Sequence, residues 1–287
     1  MPKKLNAFSW YGGKYSHLNW LLPLLDTPCT HFVDVFGGSA AVLLNREPSP
    51  VETYNDLDWG VVNFYHCLRQ YPSHLTEILG HTPYSRAEFK NACEVLKEVG
   101  EYPGIAEQSD QLEWARLFFI RSRMAYSGMG QKATGRNWSY DHDRSRRGMS
   151  GSVSRWHACI DDLGAISNRF LRVQIERDDA FNLIKRLDRS GVLFYCDPPY
   201  IHRTRNGHRD CYVYEMTDEQ HIKLAKQLNS CRAKVAISYY DCELLNELYP
   251  PGNGKWERHY APKQKIRSGK RITQEMLITN YFTKEEQ

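Results

Sequence analysis

What the chain lacks bounds it first. No apolar run approaches the roughly 20 residues that a membrane-crossing helix needs, so no membrane partner is expected. The opening stretch MPKKLNAFSWYGGK has neither the apolar core nor the small-residue cleavage site of a secretory leader, and we expect a soluble, cytoplasmic protein. Eight cysteines occur without a CxxC pair or a framework spacing, which argues for reduced thiols and against structural zinc. His202, His208 and Cys211 could ligate a metal but read more simply as a polar loop, and no metal is expected. The GxxxxGK[ST] spacing of a phosphate-binding P-loop is missing, and so is a full GxGxxG fingerprint, which makes a nicotinamide oxidoreductase a poor fit. Internal repeats and low-complexity tracts are absent as well.

What is present is enough chain for one large α/β domain with an insert: 287 residues, with a net charge of only +4. The distribution of that charge says more than its sum. Arg121, Arg123, Lys132, Arg136, Arg144, Arg146, Arg147 and Arg155 crowd one segment against only Asp141 and Asp143. A second basic tract runs from Lys255 to Arg271. Such runs often form a solvated face, but two basic segments carrying glycine and aromatic residues suit a polyanionic partner.

Periodicity gives the organisation. HFVDVF (31–36) and VETYND (51–56) read as strands, each followed by a helical stretch, GGSAAVLLNRE and WGVVNFYHCLRQY. From about Pro72 to Ile166 the pattern is amphipathic helix around a long polar loop, without convincing strands. Strands resume at FLRVQIE, VLFYCD and KVAISYY, alternating with helices, and EMLITNYF closes as an antiparallel pair with KWERHYA. Neither flank has enough strands for a sheet of its own. The expected fold is therefore α/β, a mostly parallel, doubly wound sheet with a helical domain inserted after the second strand.

Three stretches carry chemistry. In FVDVFGGSAAVLLN a strand ends at Gly37-Gly38 and passes into a helix, which lets a ligand approach the backbone, and Asp56 at the next strand's end suits the hydroxyls of a ribose. A plain tight turn with Asp56 as a helix N-cap is the alternative. WYGGK (10–14) is a glycine turn flanked by Trp10 and by Lys14, which suits a ligand carboxylate or is simply a flexible turn. CDPPY (196–200) ends a buried strand on two prolines that fix a carbonyl and a carboxylate, with an aromatic ring beside them. An amino group held by Asp197 and the Pro198 carbonyl would keep its lone pair aimed outward, and Tyr200 would offer a face to a planar base.

These motifs, in this order, resemble the Dam-like family of adenine-specific DNA methyltransferases, the α-ordered group. WYGGK is similar to W-A-G-G-K, FVDVFGGSAAVLLN to F-V-E-P-F-x-G-G-G-A-V-x-L-N, YNDLDWGVVNFY to N-D-I-N-x-D-L-I-N-x-Y, CDPPY to D-P-P-Y and MLITNYF to the closing segment. Val35 stands where the family has proline, Ser39 where it has glycine and Asp34 where it has glutamate. The resemblance implies a Rossmann-like S-adenosylmethionine-dependent catalytic domain in two parts (1–70 and 169–287) around a target-recognition domain (71–168). It implies S-adenosyl-L-methionine as cofactor and double-stranded DNA as partner, with the methyl group passing to N6 of a flipped adenine. Carried over, Trp10, Lys14, Asp34, Phe36, Gly37, Gly38, Asp56 and Asp197 would bind the cofactor, and Asp197, Pro198, Pro199 and Tyr200 would form the catalytic motif. Arg121, Arg123, Arg136, Arg144, Arg146 and Arg147 are the candidates for DNA contact. An RNA or protein-amide methyltransferase, or a DNA-binding protein without catalysis, are the competing readings; no obligatory protein partner is evident.

Overall fold

Alternation within buried strands gives the sheet two apolar faces. The computed structural model describes residues 3–99, 107–126, 130–204, 212–252, 254–265 and 272–282. The strands are β1 (His31–Asp34), β2 (Val51–Asn55), β3 (Ser145–Arg146), β4 (Met149–Ser150), β5 (Val173–Glu176), β6 (Val192–Cys196), β7 (Lys234–Tyr240), β8 (Glu257–Tyr260), β9 (Gln264–Lys265), β10 (Ile272–Thr273) and β11 (Glu275–Thr279). The helices are α1 (Leu18–Leu24), α2 (Ala41–Asn45), α3 (Trp59–Gln70), α4 (Pro72–His81), α5 (Arg86–Val99), α6 (Gln108–Met124), α7 (Gly151–Asp161), α8 (Leu163–Phe170), α9 (Ala180–Leu187), α10 (Asp218–Ser230) and α11 (Glu243–Leu248).

Seven strands form one sheet in the order β5-β2-β1-β6-β7-β11-β8. Pairings from β5 through β7 are all parallel, and β11 runs antiparallel between β7 and β8. The closing antiparallel pair read from the sequence is thus β8 with β11. Phe32, Leu193 and Tyr195 face one way and join a core with Phe64, Tyr65, Phe118 and Phe170. Val33, Val192, Phe194 and Cys196 face the other way and pack on Leu183, Leu224 and Leu245 from α9, α10 and α11. Both faces are covered, as an α/β sheet of near-continuous apolar strands requires.

Helices α3 to α8 lie between β2 and β5 in sequence, as the periodicity predicts, and α3, α6 and α8 share the core of the first sheet face. Two details differ from expectation. The strand expected from Phe170 begins only at Val173, because Phe170 ends α8 and stacks on Tyr65 with ring centroids 4.3 Å apart. The middle segment, expected to lack strands, holds the two-residue ribbon β3–β4. Its tip is Arg147-Gly148 with φ of +55° and +74°, a primed turn whose backbone twist suits a hairpin but whose first residue is an uncommon left-handed arginine. Among the described residues, no helix is long and apolar enough to cross a membrane.

Candidate active site

The strand order reverses between β1 and β6, and in open α/β sheets ligands bind at the carboxyl ends of the strands at such a point. The loops there are stitched together. Asn55 Nδ2 donates to the carbonyls of Val35 (2.9 Å) and Asp178 (3.1 Å), and Asp178 N–H donates back to Asn55 Oδ1 (2.9 Å). After β1 the chain turns through Gly37 and Gly38. A β-carbon on Gly37 would stand 2.2 Å from the Tyr54 ring, and one on Gly38, at φ +47°, would stand 2.6 Å from Trp10 Nε1. Both glycines are therefore required by close approach. Tyr54 and Tyr65 pin the same turn, their hydroxyls donating to the Gly38 and Ser39 carbonyls at 2.7 Å each.

Asp56 is tied to that turn rather than to a helix: its carboxylate accepts from Gly38 N–H (2.7 Å) and Asp58 N–H (2.8 Å). The helix cap is Asp58, whose side chain accepts from Gly60 N–H at the start of α3. Burial, and then the neighbouring Asp58, push the Asp56 carboxyl up to about 7. Asp34, at the end of β1, is almost wholly buried and raised well above the usual carboxylate range, first by burial and then by Asp197 and Asp56.

Asp197 follows β6. Its Oδ2 lies 2.7 Å from Lys14 Nζ, an ammonium only 3% exposed that also donates to the Gly12 carbonyl (2.7 Å). Burial raises Asp197 to about 6, with Lys14 pulling down and Glu275 pushing up. Tyr200 is buried, with Lys14 Nζ 5.0 Å from its ring centroid and the Tyr240 ring edge-on at 4.8 Å. Tyr200, read from sequence as a face for a planar base, is thus flanked by Lys14 and Tyr240.

Two cavities of about 380 and 820 Å³ meet here, sharing Trp10, Phe36, Asp197 and Tyr212. The smaller reaches Lys14, Asp34, Gly37 and Gly38; the larger reaches Asp56, Asp178 and Phe181. Every cofactor candidate named from the sequence lines one or both. Sequence reasoning missed Asp178 and Phe181, although an acid just beyond FLRVQIE was a readable strand-end signal, and it missed Tyr212, Tyr240 and Glu275. Among the described residues, no three His, Cys, Asp or Glu side chains are gathered for a metal. His208 and Cys211 lie outside the described residues, as do residues 266–271 of the second basic tract.

The six arginines divide. Arg136, Arg144, Arg146 and Arg147 are exposed, the last three on or beside the β3–β4 ribbon. Arg121 and Arg123 are half-buried on α6; Arg121 faces the Asp58 carboxylate and Arg123 donates to the Arg155 carbonyl (3.5 Å). In the second tract Arg258 is spent on α11 and Asp241, bonding Asn246 Oδ1 (2.8 Å) and the Leu245 and Tyr249 carbonyls.

A model of the D12 class of N6 adenine-specific DNA methyltransferases matches residues 10–265. The chain belongs to this family. As a D12 class member it is 23% identical over 295 residues to the Type II methyltransferase M.FokI of Planomicrobium okeanokoites, a match covering 96% of this chain and 43% of that protein. The chain thus spans less than half the length of that relative. Two solved structures that it matches resemble it only slightly. A conserved hypothetical protein of Streptococcus pyogenes has 10% identity and a TM-score of 0.36, covering 94% of this chain and 96% of its own. The putative methyltransferase yhhF from Escherichia coli has 11% identity and a TM-score of 0.33, covering 93% and 83%. The α/β assignment stands on the strand order itself.

Proposed function

We propose that the protein transfers the methyl group of S-adenosylmethionine to the exocyclic N6 of adenine in double-stranded DNA. The observation that carries this reading is the charge of the cleft. Asp34, Asp56 and Asp197 line it, and Lys14, paired with Asp197, is the one cation among its described lining residues, in a chain whose net charge is positive. Such a site calls for an organic cation, and the cofactor's ammonium and sulfonium fit it, while the glycine turn admits its backbone-hugging part. When bound, the cofactor supplies a methyl group already activated on sulfur, so the chain need only position the acceptor.

In this reading Trp10, Phe36, Gly37 and Gly38 wall the methionine end, Asp34 faces the ammonium and Asp56 takes the ribose hydroxyls. Phe181 and Asp178 suit the adenine end. Asp197 and the Pro198 carbonyl accept the hydrogens of the target amino group and aim its lone pair; Pro199 stiffens the turn and Tyr200 backs the base. A base inside a duplex cannot reach this cleft, so it must be flipped out. Residues 71–168 would form the recognition part, where Arg136, Arg144, Arg146 and Arg147 are free to meet phosphates or base edges. Arg121 and Arg123 would support that surface from beneath rather than touch DNA.

The test is to incubate the protein with methyl-labelled S-adenosylmethionine and unmethylated duplex DNA, with RNA and the Asp197→Ala variant in parallel. Label in DNA that vanishes with the variant is expected, located at adenines by sequencing. Label only in RNA or protein would overturn the substrate, and none anywhere would leave a DNA-binding scaffold.

A further inference from the structure

The transfer site holds a second acid that the motifs do not name. Glu275 is the first residue of β11, a strand buried at all five positions, and it stands opposite Tyr240 in the β7–β11 register. It is 6% exposed, and its Oε1 lies 3.7 Å from Lys14 Nζ and 3.7 Å from His17 Nε2. Lys14 therefore lies between two carboxylates, close to Asp197 at 2.7 Å and farther from Glu275. Burying a charge this deeply without need is costly, so a carboxylate here must answer to a cation.

The difficulty it answers is plain in the geometry. An amino group arriving at Asp197 meets a carboxylate already holding an ammonium. If Lys14 kept that grip, one Asp197 oxygen would be unavailable and the carboxylate's power to hold the amine would be shared. If Lys14 let go with no other acceptor, a buried ammonium would stand unpaired.

Resting on the methyl-transfer reading, we propose that Glu275 is a positioning residue: it takes up Lys14 as the substrate amine engages Asp197, freeing the catalytic carboxylate without stranding the ammonium. The groups that face Glu275 are Lys14 and His17 from the turn before α1, Tyr195 on β6, Asp197 and Tyr200 after β6, and Tyr240 on β7. Just past β8, the Ala261 N–H bonds its backbone carbonyl (2.8 Å). Burial and the Lys14 ammonium hold His17 down to about 4, so at neutral pH it brings no competing charge. Lys14 is raised: burial alone would lower it, and Asp197 with Glu275 outweigh that.

The test compares Glu275→Gln and Glu275→Asp with the wild type, measuring kcat, KM for S-adenosylmethionine and the pH profile of kcat/KM, with rates normalised to the cofactor-binding fraction. With glutamine, kcat should fall about tenfold or more while the cofactor KM stays within about threefold, the pattern of an interaction made on the way to the transition state. The acid limb, set by the ionised Asp197, should move about one unit to lower pH, because removing Glu275 leaves Lys14 wholly to Asp197 and removes a like charge. The aspartate variant keeps the charge, so its limb should match the wild type and its kcat should lie between the two. A glutamine variant with an unmoved limb, normal kcat or lost cofactor binding would overturn the proposal. A wild-type protein that labels no DNA would instead overturn the reading beneath it.

Discussion

At the scale of single residues, Asp197 concentrates the consequences. It holds the Lys14 ammonium at 2.7 Å, closer than Glu275 does, and burial raises it to about 6, still ionised at neutral pH. Asp197→Ala should lower kcat by about a hundredfold or more with cofactor binding only modestly weaker, since positioning of the acceptor is what it supplies; near-normal turnover in that variant would remove it from the role. Asp56 makes a prediction of the opposite kind. Its carboxyl sits at about 7, so at slightly acid pH a large share is protonated in the folded protein. A ribose-bearing cation favours the ionised form, so binding should expel a proton and affinity should fall as pH drops from 8 to 6. Calorimetry at pH 6.5 in buffers of different ionisation heat measures that proton directly, and a binding heat independent of buffer would contradict it.

At the scale of elements, the β3–β4 ribbon is exposed from Arg144 to Met149. Asp141 anchors its base by accepting from Ser152 N–H (2.5 Å) and Ser150 Oγ (3.3 Å), while Gly151 N–H donates to the Arg144 carbonyl (2.9 Å). The tip is thus a braced arm with two outward cations. Replacing Arg146 and Arg147 together by alanine should weaken binding to all duplexes and reduce the slope of log affinity against log salt by about two. An unchanged slope would make the arm a merely solvated feature. This ribbon also shows where the sequence falls silent. Two residues per strand are too few for alternation to register, and its turn is made by an arginine in a conformation that the residue rarely takes. The long strands were legible because their apolar residues alternate between two buried faces, and KVAISYY coincides with β7. DPPY and the glycine turn were legible because proline and glycine constrain backbone directly. Glu275 was not, since an acid heading an apolar strand looks like an ordinary strand end until Lys14 is seen against it.

At the scale of the whole molecule, the sheet and the helical segment are joined through a buried charge cluster. Glu52 on β2 is fully buried and is gripped by Arg169 of α8 through both oxygens (2.5 and 2.8 Å), with Arg46 at 3.4 Å and Arg172 at 3.5 Å. Glu52→Gln would strip three arginines of their shared carboxylate, and breaking such a buried network costs about 3–5 kcal/mol. Urea unfolding should show that loss, while the rate of the folded fraction stays near normal because Glu52 lies toward the opposite end of the strands from the cleft. A loss under about 1 kcal/mol would mark the cluster as a surface-like pairing. The assembly of the cleft itself carries a further consequence. Lys14 comes from the beginning of the chain, Asp197 from its last third and Glu275 from the strand that slots in between β7 and β8. On a ribosome, therefore, the emerging chain has its glycine turn and its helical segment long before Lys14, Asp197 and Glu275 can meet. Until β11 threads between β7 and β8, a nascent chain can set Lys14 against Asp197 at most, and the order of synthesis makes the second carboxylate the last of the three charges to arrive.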